Sequence, residues 1–271
     1  MAARPPVRGW ILASVLVLIA ADLIPELLPL RPASQAAGGT VRRPAPTSGS
    51  MGEFIDIEPI PRLRSVQGTA FSVAGGNRWM TARHVINSCT SGQLLGASGD
   101  MDLTEMLVSQ SDDVAIVRTD LTGAPPFHIA PRPPTIGEAA YLFGYPHGAA
   151  DFVSMKLLGR AVARQGYRPY PRQPVLQWVE TGGGGRADDL SGMSGGPAVN
   201  AQGQVVGVFS ASGIRRGRIV TANPWSLARF DEIPAQSRET MSRAIKGQAD
   251  AAIYLRQMIR ARSLRELVCD T

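Results

Sequence analysis

The 271-residue sequence has few of the features that mark membrane-embedded, metal-binding or disulfide-rich proteins. Hydrophobic residues make up 44% of it and charged residues 18%, so the chain is neither disordered as a whole nor generally embedded in a membrane. Two cysteines are too few for a scaffold of several disulfides or for a four-cysteine zinc site. Only three histidines are present, which limits the catalytic machinery that the chain can build.

Lysine is almost missing, since Lys156 and Lys246 are the only two. Arginine therefore supplies nearly all of the 28 basic residues, which exceed the 22 acidic residues and give a net charge of +6. The arginines are scattered and form no basic motif, so we expect no nucleic-acid partner. The 29 glycines and 21 prolines favour a turn-rich β-structure over a helical bundle.

The N-terminus has the pattern of an export signal. Arg4 and Arg8 precede an uncharged, mostly apolar run at residues 9–21. As a helix, 13 residues would span about 20 Å, whereas a bilayer core is about 30 Å thick. We therefore predict a cleaved signal or a signal-anchor over 1–30, with 9–30 as the membrane tether if it stays. The chain would then be periplasmic or secreted. Residues 31–50, rich in Pro, Ala, Gly, Ser and Thr, predict a flexible linker.

The body of the chain, over 51–232, is predicted to be one domain of short strands. Apolar runs bounded by turn residues predict strands at 69–73, 79–82, 114–117, 139–143, 175–179, 205–209 and 218–222. After Pro234 the apolar residues recur at helical spacing, which predicts a helical tail over 233–271. Ser263 and Glu266 have the spacing of a capping box, so a last short helix is expected to begin there.

Three local patterns carry the chemistry: Thr-Ala-Arg-His-Val around His84, Asp-Val-Ala-Ile-Val from Asp113, and Gly-Met-Ser-Gly-Gly-Pro around Ser194. A serine between glycines fits a nucleophile on a tight turn, where backbone N–H groups converge on one oxyanion. Serine needs an adjacent base, and the base needs a carboxylate to fix its tautomer. Asp113 and its neighbour Asp112, which also fits a turn residue, are the two candidates for this carboxylate.

The order of these residues separates the hydrolase classes. In α/β-hydrolases the acid and the histidine follow the serine, but His84, His128 and His147 all precede Ser194. A subtilisin order would need the acid before His84. The order His84, Asp113, Ser194 is that of chymotrypsin-like enzymes.

Residues 66–226 resemble trypsin-like serine proteases, especially the bacterial HtrA-like and glutamyl-endopeptidase-like branches. The resemblance rests on the three patterns above, on Gly-Thr-Ala-Phe at 68–71 and on the segment from Gly137 to Pro146. It implies an all-β fold of two six-stranded antiparallel β-barrels, here with a C-terminal helical extension. It also implies a serine endopeptidase that acts on protein or peptide substrates through an acyl-enzyme and needs no metal or cofactor.

The resemblance assigns roles to individual residues. His84 is expected to be the general base, Asp113 its orienting acid and Ser194 the nucleophile. The backbone N–H groups of Gly192 and Ser194 would form the oxyanion hole. The strand end at Ser210 and Ala211 would pair with the substrate backbone.

The sequence departs from the family at several positions. Met193 stands where animal members have an aspartate that pairs with a newly formed N-terminus, so that activation route is expected to be absent. Asp188 lies six residues before Ser194, where the trypsin branch keeps the acid that selects basic substrates, and this makes Asp188 a candidate substrate-binding residue. About 40 residues follow Phe230, too few for the PDZ domain usual in HtrA proteins, so we expect none.

Three questions stay open at this point. Cys89 and Cys269 could form one disulfide in an oxidising compartment or remain two thiols. The scaffold could also be a catalytically silent, membrane-tethered binding module rather than an enzyme. The oligomeric state does not follow from the sequence.

Overall fold

The computed structural model describes residues 54–57, 65–73, 77–96, 99–120, 122–165, 172–183, 189–213, 216–223, 241 and 243–271. All of them belong to the compact unit Ala45–Thr271. The predicted export segment, the linker and Asp188 lie outside the described residues.

Two seven-stranded sheets account for most of the described chain. The first, called here the half-barrel, consists of β2 (Ser65–Val73), β3 (Arg78–Thr81), β4 (Ser91–Leu95), β5 (Met101–Asp102), β6 (Glu105–Val108), β7 (Ala115–Arg118) and β14 (Leu264–Asp270). It is a curled open sheet in the order β5-β4-β14-β2-β3-β7-β6. In this half the expected antiparallel barrel takes the form of a curled half-barrel, because β5 and β6, the end strands of the described sheet, do not pair with each other.

The second sheet, called here the barrel, contains β8 (Ala139–Gly144), β9 (Asp151–Gln165), β10 (Gln173–Gly183), β11 (Pro197–Asn200), β12 (Val205–Ser212) and β13 (Arg218–Ala222). It closes because β8 pairs with both β9 and β11. A further strand, β1 (Phe54–Ile57), runs parallel to the end of β9. The predicted all-β architecture and all seven predicted strands are confirmed within the described residues.

Two helices are found in the described part of the chain, α1 (Arg83–Ile86) and α2 (Gln248–Arg260), together with a 3₁₀ turn at Pro146–Gly148. The helical spacing predicted α2 correctly. Its buried face packs into a core shared with both sheets, where the ring of Tyr254 lies 5.7 Å from that of Phe143. No helix among the described residues is long and apolar enough to cross a membrane.

The predicted last helix is wrong, because Leu264–Asp270 forms β14 between β2 and β4. The Ser263 hydroxyl does not cap a helix but donates a 2.7 Å hydrogen bond to the Pro125 carbonyl. Leu267 and Cys269 are buried whereas Val268 between them is partly exposed, which is the alternation of a strand. The C-terminal segment is therefore a central strand of the half-barrel rather than an appendage.

Candidate active site

His84 is the second residue of α1, which begins directly after β3. Asp113 lies just before β7, and the antiparallel register of β3 and β7 sets Thr81 opposite Ala115. Continuing the two strands past this pair brings Asp113 next to His84. The side chains are thus placed by sheet register and do not depend on a flexible loop.

The His84 ring and the Asp113 carboxylate form a close pair. The distance between His84 Nδ1 and Asp113 Oδ2 is 2.7 Å, and the His84 backbone N–H donates to Asp113 Oδ1 at 2.9 Å. A carboxylate on Nδ1 holds the proton there and leaves Nε2 as an acceptor. The other candidate acid, Asp112, accepts a 2.6 Å hydrogen bond from the Ser111 hydroxyl instead.

The electrostatics keep Asp113 ionised. Its burial would by itself raise the pKa, but the charge and hydrogen bonds of His84 and a hydrogen bond from Ser210 overcome that effect, so the pKa of Asp113 lies below its usual value of 3.8. A carboxylate that stays charged can stabilise an imidazolium formed on His84.

Ser210 contributes its side chain to this pair, a role that the sequence did not suggest. Its hydroxyl donates a 2.6 Å hydrogen bond to Asp113 Oδ2. The β12–β13 register shifts between Phe209 and Ala211, so Ser210 is the extra residue of a bulge. Bulges re-aim a side chain, and here the bulge turns Ser210 inward towards Asp113. Ala211 is partly exposed beside it, at the strand end predicted to meet substrate.

Ser194 lies on the turn that precedes β11, pressed against the half-barrel. Its carbonyl accepts a 2.7 Å hydrogen bond from the Thr69 N–H. The next residue, Gly195, has φ 88°, and a Cβ there would collide with Thr81 Oγ1 and lie 2.7 Å from the Ala82 nitrogen. Glycine is therefore required for the turn to approach the residues just before His84. Among the described residues no hydrogen bond joins Ser194 to His84 in this state, and catalytic hydrogen bonds are often loose without substrate.

The same turn leaves two N–H groups unused. Met193 N–H donates to the Leu190 carbonyl at 3.0 Å, and Gly195 N–H donates to the Phe209 carbonyl at 2.8 Å. Within the described part of the chain, the N–H groups of Gly192 and Ser194 donate no hydrogen bond. Two N–H groups without a partner on one glycine-rich turn can together bind an oxyanion that forms next to Ser194.

Thr69 connects the turn to both sheets. Its hydroxyl donates to the Gly192 carbonyl at 2.8 Å and accepts from the Tyr145 N–H at 3.0 Å. Gly192 itself has φ 94°, and a Cβ there would collide with the Tyr145 carbonyl oxygen. The conformation of Gly192 is thus fixed by close contacts that exclude any side chain.

Cys89 and Cys269 are joined in a disulfide, with their Cα atoms 5.4 Å apart. The bond ties the segment that follows α1 to β14. Across the described residues no group of three or more His, Cys, Asp or Glu side chains could hold a metal ion.

Chymotrypsin-type serine hydrolases build their site from a His–Asp pair and a serine on a glycine-rich turn, and both parts are present here, with His84 partly buried and Asp113 buried. The model of the trypsin-like peptidase domain family matches residues 68–208, more than half of the chain. The chain therefore belongs to the trypsin-like peptidase family, as its sequence motifs predict.

Two curated relatives are the serine proteases Rv3671c and MT3772 from two strains of Mycobacterium tuberculosis. Each is 30% identical to this chain over 167 residues, or 60% of its length. The match spans 41% of either relative, so the chain corresponds to less than half of those proteins.

Solved structures of similar fold include the active form of the Rv3671c protease from M. tuberculosis. It has a TM-score of 0.53 and 20% identity, over 67% of this chain and 95% of that one. The inactive form of the same protease has a TM-score of 0.52 and 22% identity, over 64% and 89%. At this level of identity the likeness establishes the fold.

Proposed function

We propose that the chain is an exported serine endopeptidase that hydrolyses peptide bonds through an acyl-enzyme on Ser194. The observation that carries the proposal is the 2.7 Å contact between His84 Nδ1 and Asp113 Oδ2, because a structural role alone does not need an imidazole held in one tautomer. Membership of the trypsin-like peptidase family supports the same reaction.

The mechanism assigns one task to each group. His84 Nε2 takes the proton of the Ser194 hydroxyl as its oxygen attacks the substrate carbonyl. The N–H groups of Gly192 and Ser194 bind the oxyanion that forms, and Asp113 stabilises the imidazolium. His84 then gives the proton to the leaving amine. A water molecule, activated by His84 in the same way, hydrolyses the ester on Ser194 and releases the second product.

Export is the second part of the proposal. The disulfide between Cys89 and Cys269 supports it, because disulfides persist mainly in oxidising compartments outside the cytoplasm. The basic and apolar start of the sequence is in keeping with a signal or a membrane anchor over 1–30. The periplasm or the exterior is accordingly the proposed location, with protein or peptide substrates and no metal or cofactor.

Cleavage-site preference is the least developed part of the proposal. A preference for Arg or Lys would rest on Asp188, which lies outside the described residues. The partly exposed strand end at Ala211 is the proposed partner of the substrate backbone on the acyl side, while Ser210 binds Asp113 through its side chain.

The test is hydrolysis of casein and of a peptide library by the full chain, with Ser194→Ala as the matched control. The proposal predicts cleavage by the unaltered chain and a loss of at least about a thousandfold in Ser194→Ala. Absence of cleavage and of reaction with a fluorophosphonate would instead favour a catalytically silent binding module. Fractionation of the native host cell, with and without residues 1–30, tests export and tethering.

A further inference from the structure

The turn that presents the oxyanion hole is held from outside by residues that the reaction itself does not use. Met193, directly before Ser194, is fully buried in the apolar core of the barrel and carries no charge that could anchor the turn. Besides the Thr69 hydrogen bond to the Gly192 carbonyl, a second anchor lies two residues before Met193, at Ser191. Its N–H donates to Asp189 Oδ1 at 2.9 Å, and its carbonyl accepts from the His147 N–H at 3.0 Å.

The orientation of Gly192 N–H follows from the second of these bonds. The Ser191 carbonyl and the Gly192 N–H belong to one trans peptide unit, so they point in opposite directions. Because the carbonyl is aimed at His147, the N–H is aimed away from it. A flip of this peptide would break the bond to His147 and remove one of the two oxyanion donors.

The two partners of Ser191 are joined to each other through their side chains. His147 Nε2 lies 3.0 Å from Asp189 Oδ2. Hydrogen bonds from the Ser191 hydroxyl and backbone N–H, followed by the charge of His147, keep the pKa of Asp189 below its usual value. The contact between the two side chains therefore closes a ring of contacts around Ser191, one residue before Gly192.

The backbone of His147 is itself unusual. It has φ 52° and ψ 37°, the left-handed region that costs a non-glycine residue free energy. Glycine would avoid this cost, so the local backbone alone does not favour a histidine here. The His147 side chain, however, contacts Asp189, which a glycine could not do.

We propose that His147 and Asp189 are positioning residues of the peptidase reaction, a proposal that rests on the proposed function. Their pair holds the turn so that the Gly192 N–H faces the oxyanion. Neither residue touches the reacting atoms, and both act through Ser191. Their side chains are 54% and 55% exposed, and solvent screens such pairs, so the loss of the pair should lower kcat by about two- to fivefold.

The experiment compares Asp189→Asn, His147→Asn and the double variant with the unaltered full chain on a chromogenic peptide. Asparagine tolerates the left-handed backbone, so misfolding does not confound His147→Asn. His128→Asn is the matched control, because His128 is a second loop histidine outside this ring. We expect each single variant to lose kcat at nearly constant KM, and the double variant to lose no more than the worse single one, since the two residues act as a pair.

Two further readouts separate positioning from plain stability. A peptide aldehyde, which mimics the oxyanion, should bind more weakly by the same factor as kcat falls. The variants should unfold at the same urea concentration as the unaltered chain. The proposal would be overturned by any of three results. The first is a rise in KM with kcat unchanged, and the second is a loss of kcat in the double variant equal to the product of the two single losses. The third is a loss of kcat in proportion to the loss of stability.

Amide hydrogen exchange of Ser191 tests the ring without turnover, so it stays decisive if the chain cleaves nothing. His147→Asn should speed this exchange by freeing the Asp189 carboxylate, and His128→Asn should leave it unchanged. If the exchange rate at Ser191 is unchanged in His147→Asn, the proposed positioning role of His147 and Asp189 is rejected, even if the enzyme is active. If His147→Asn speeds the exchange at Ser191 but the unaltered chain does not react with a fluorophosphonate, the proposed peptidase activity is rejected. The ring of contacts around Ser191 is then still supported.

Discussion

The Ser210 hydroxyl donates a 2.6 Å hydrogen bond to Asp113 Oδ2, the same oxygen that lies 2.7 Å from His84 Nδ1. Ser210 comes from the barrel, whereas Asp113 and His84 come from the half-barrel. The Asp113 carboxylate is thus held from both sheets, and the bulge in β12 is what allows the barrel to reach it.

Replacing Ser210 by alanine should therefore destabilise the protein and impair turnover. The variant leaves a buried carboxylate with one hydrogen-bond donor fewer, which costs about 1–3 kcal/mol in the free energy of unfolding. Urea denaturation measures this loss, and kcat should fall by several-fold.

Ser154 provides the matched control for Ser210. Its buried hydroxyl has no hydrogen-bond partner within the described structure, so Ser154→Ala removes an unsatisfied group and should be neutral or slightly stabilising. Equal effects of the two substitutions would show that the Ser210 hydrogen bond contributes nothing.

Asp113→Asn should lower kcat by roughly a thousand- to ten-thousandfold, because an amide permits the wrong tautomer of His84. A second effect concerns acid stability. Since the pKa of Asp113 is lower in the folded protein than its usual 3.8, the folded state binds fewer protons there. This contribution to stability is present above pH 3.8 and is lost as the pH falls through the lowered pKa.

Urea titrations of Asp113→Asn and the unaltered chain across that acidic range measure the second effect. The difference in their free energies of unfolding should shrink as the solution becomes more acidic. A difference that stays constant with pH would mean that the pKa of Asp113 is not lowered by folding.

Thr69→Val should weaken the oxyanion hole at nearly constant side-chain volume. The substitution removes the hydrogen bond to the Gly192 carbonyl and leaves the Tyr145 N–H without its acceptor. We expect a loss of about 1–2 kcal/mol in stability and a fall in kcat that exceeds any rise in KM. Thr69→Ser keeps the hydroxyl and should restore most of the activity. Equal activity of the two variants would contradict this role.

The disulfide closes a loop between residues 180 positions apart in the sequence. Its removal by a double Cys89→Ala and Cys269→Ala substitution should therefore lower the free energy of unfolding by about 2–5 kcal/mol. Differential scanning calorimetry measures the change. The half-barrel should be affected most, since the bond joins the segment after α1 to β14. Hydrogen exchange that rises equally in barrel and half-barrel would argue against this local effect.

The structure brings together His84 and Asp113, which the sequence motifs singled out, and their catalytic roles stay a prediction. Apolar runs bounded by turn residues predicted seven strands, and all seven are present. The capping-box spacing at Ser263 was misleading, since the tertiary partners of that residue, Pro125 and Ser72, outweigh its local preference. The short segment Leu264–Asp270 is a strand because it pairs with β2 on one side and β4 on the other.

The role of Ser210 and the ring around Ser191 could not be predicted from sequence. The first depends on a bulge, which has no composition signal in β12. The second joins His147 and Asp189, which are 42 positions apart and meet only because the Pro146–Gly148 turn lies against the turn before Ser194. Both are long-range contacts between loops or strand irregularities, and no local pattern encodes such contacts.

The most direct test of the account is mass spectrometry of the full chain after reaction with a fluorophosphonate, with peptide mapping of the adduct. The account predicts one adduct per chain, located on Ser194, formed rapidly by the unaltered protein and at least about a hundredfold more slowly by His84→Ala. An unlabelled chain, an adduct on another residue, or equally fast labelling without His84 would contradict the assignment of Ser194 as a nucleophile activated by His84.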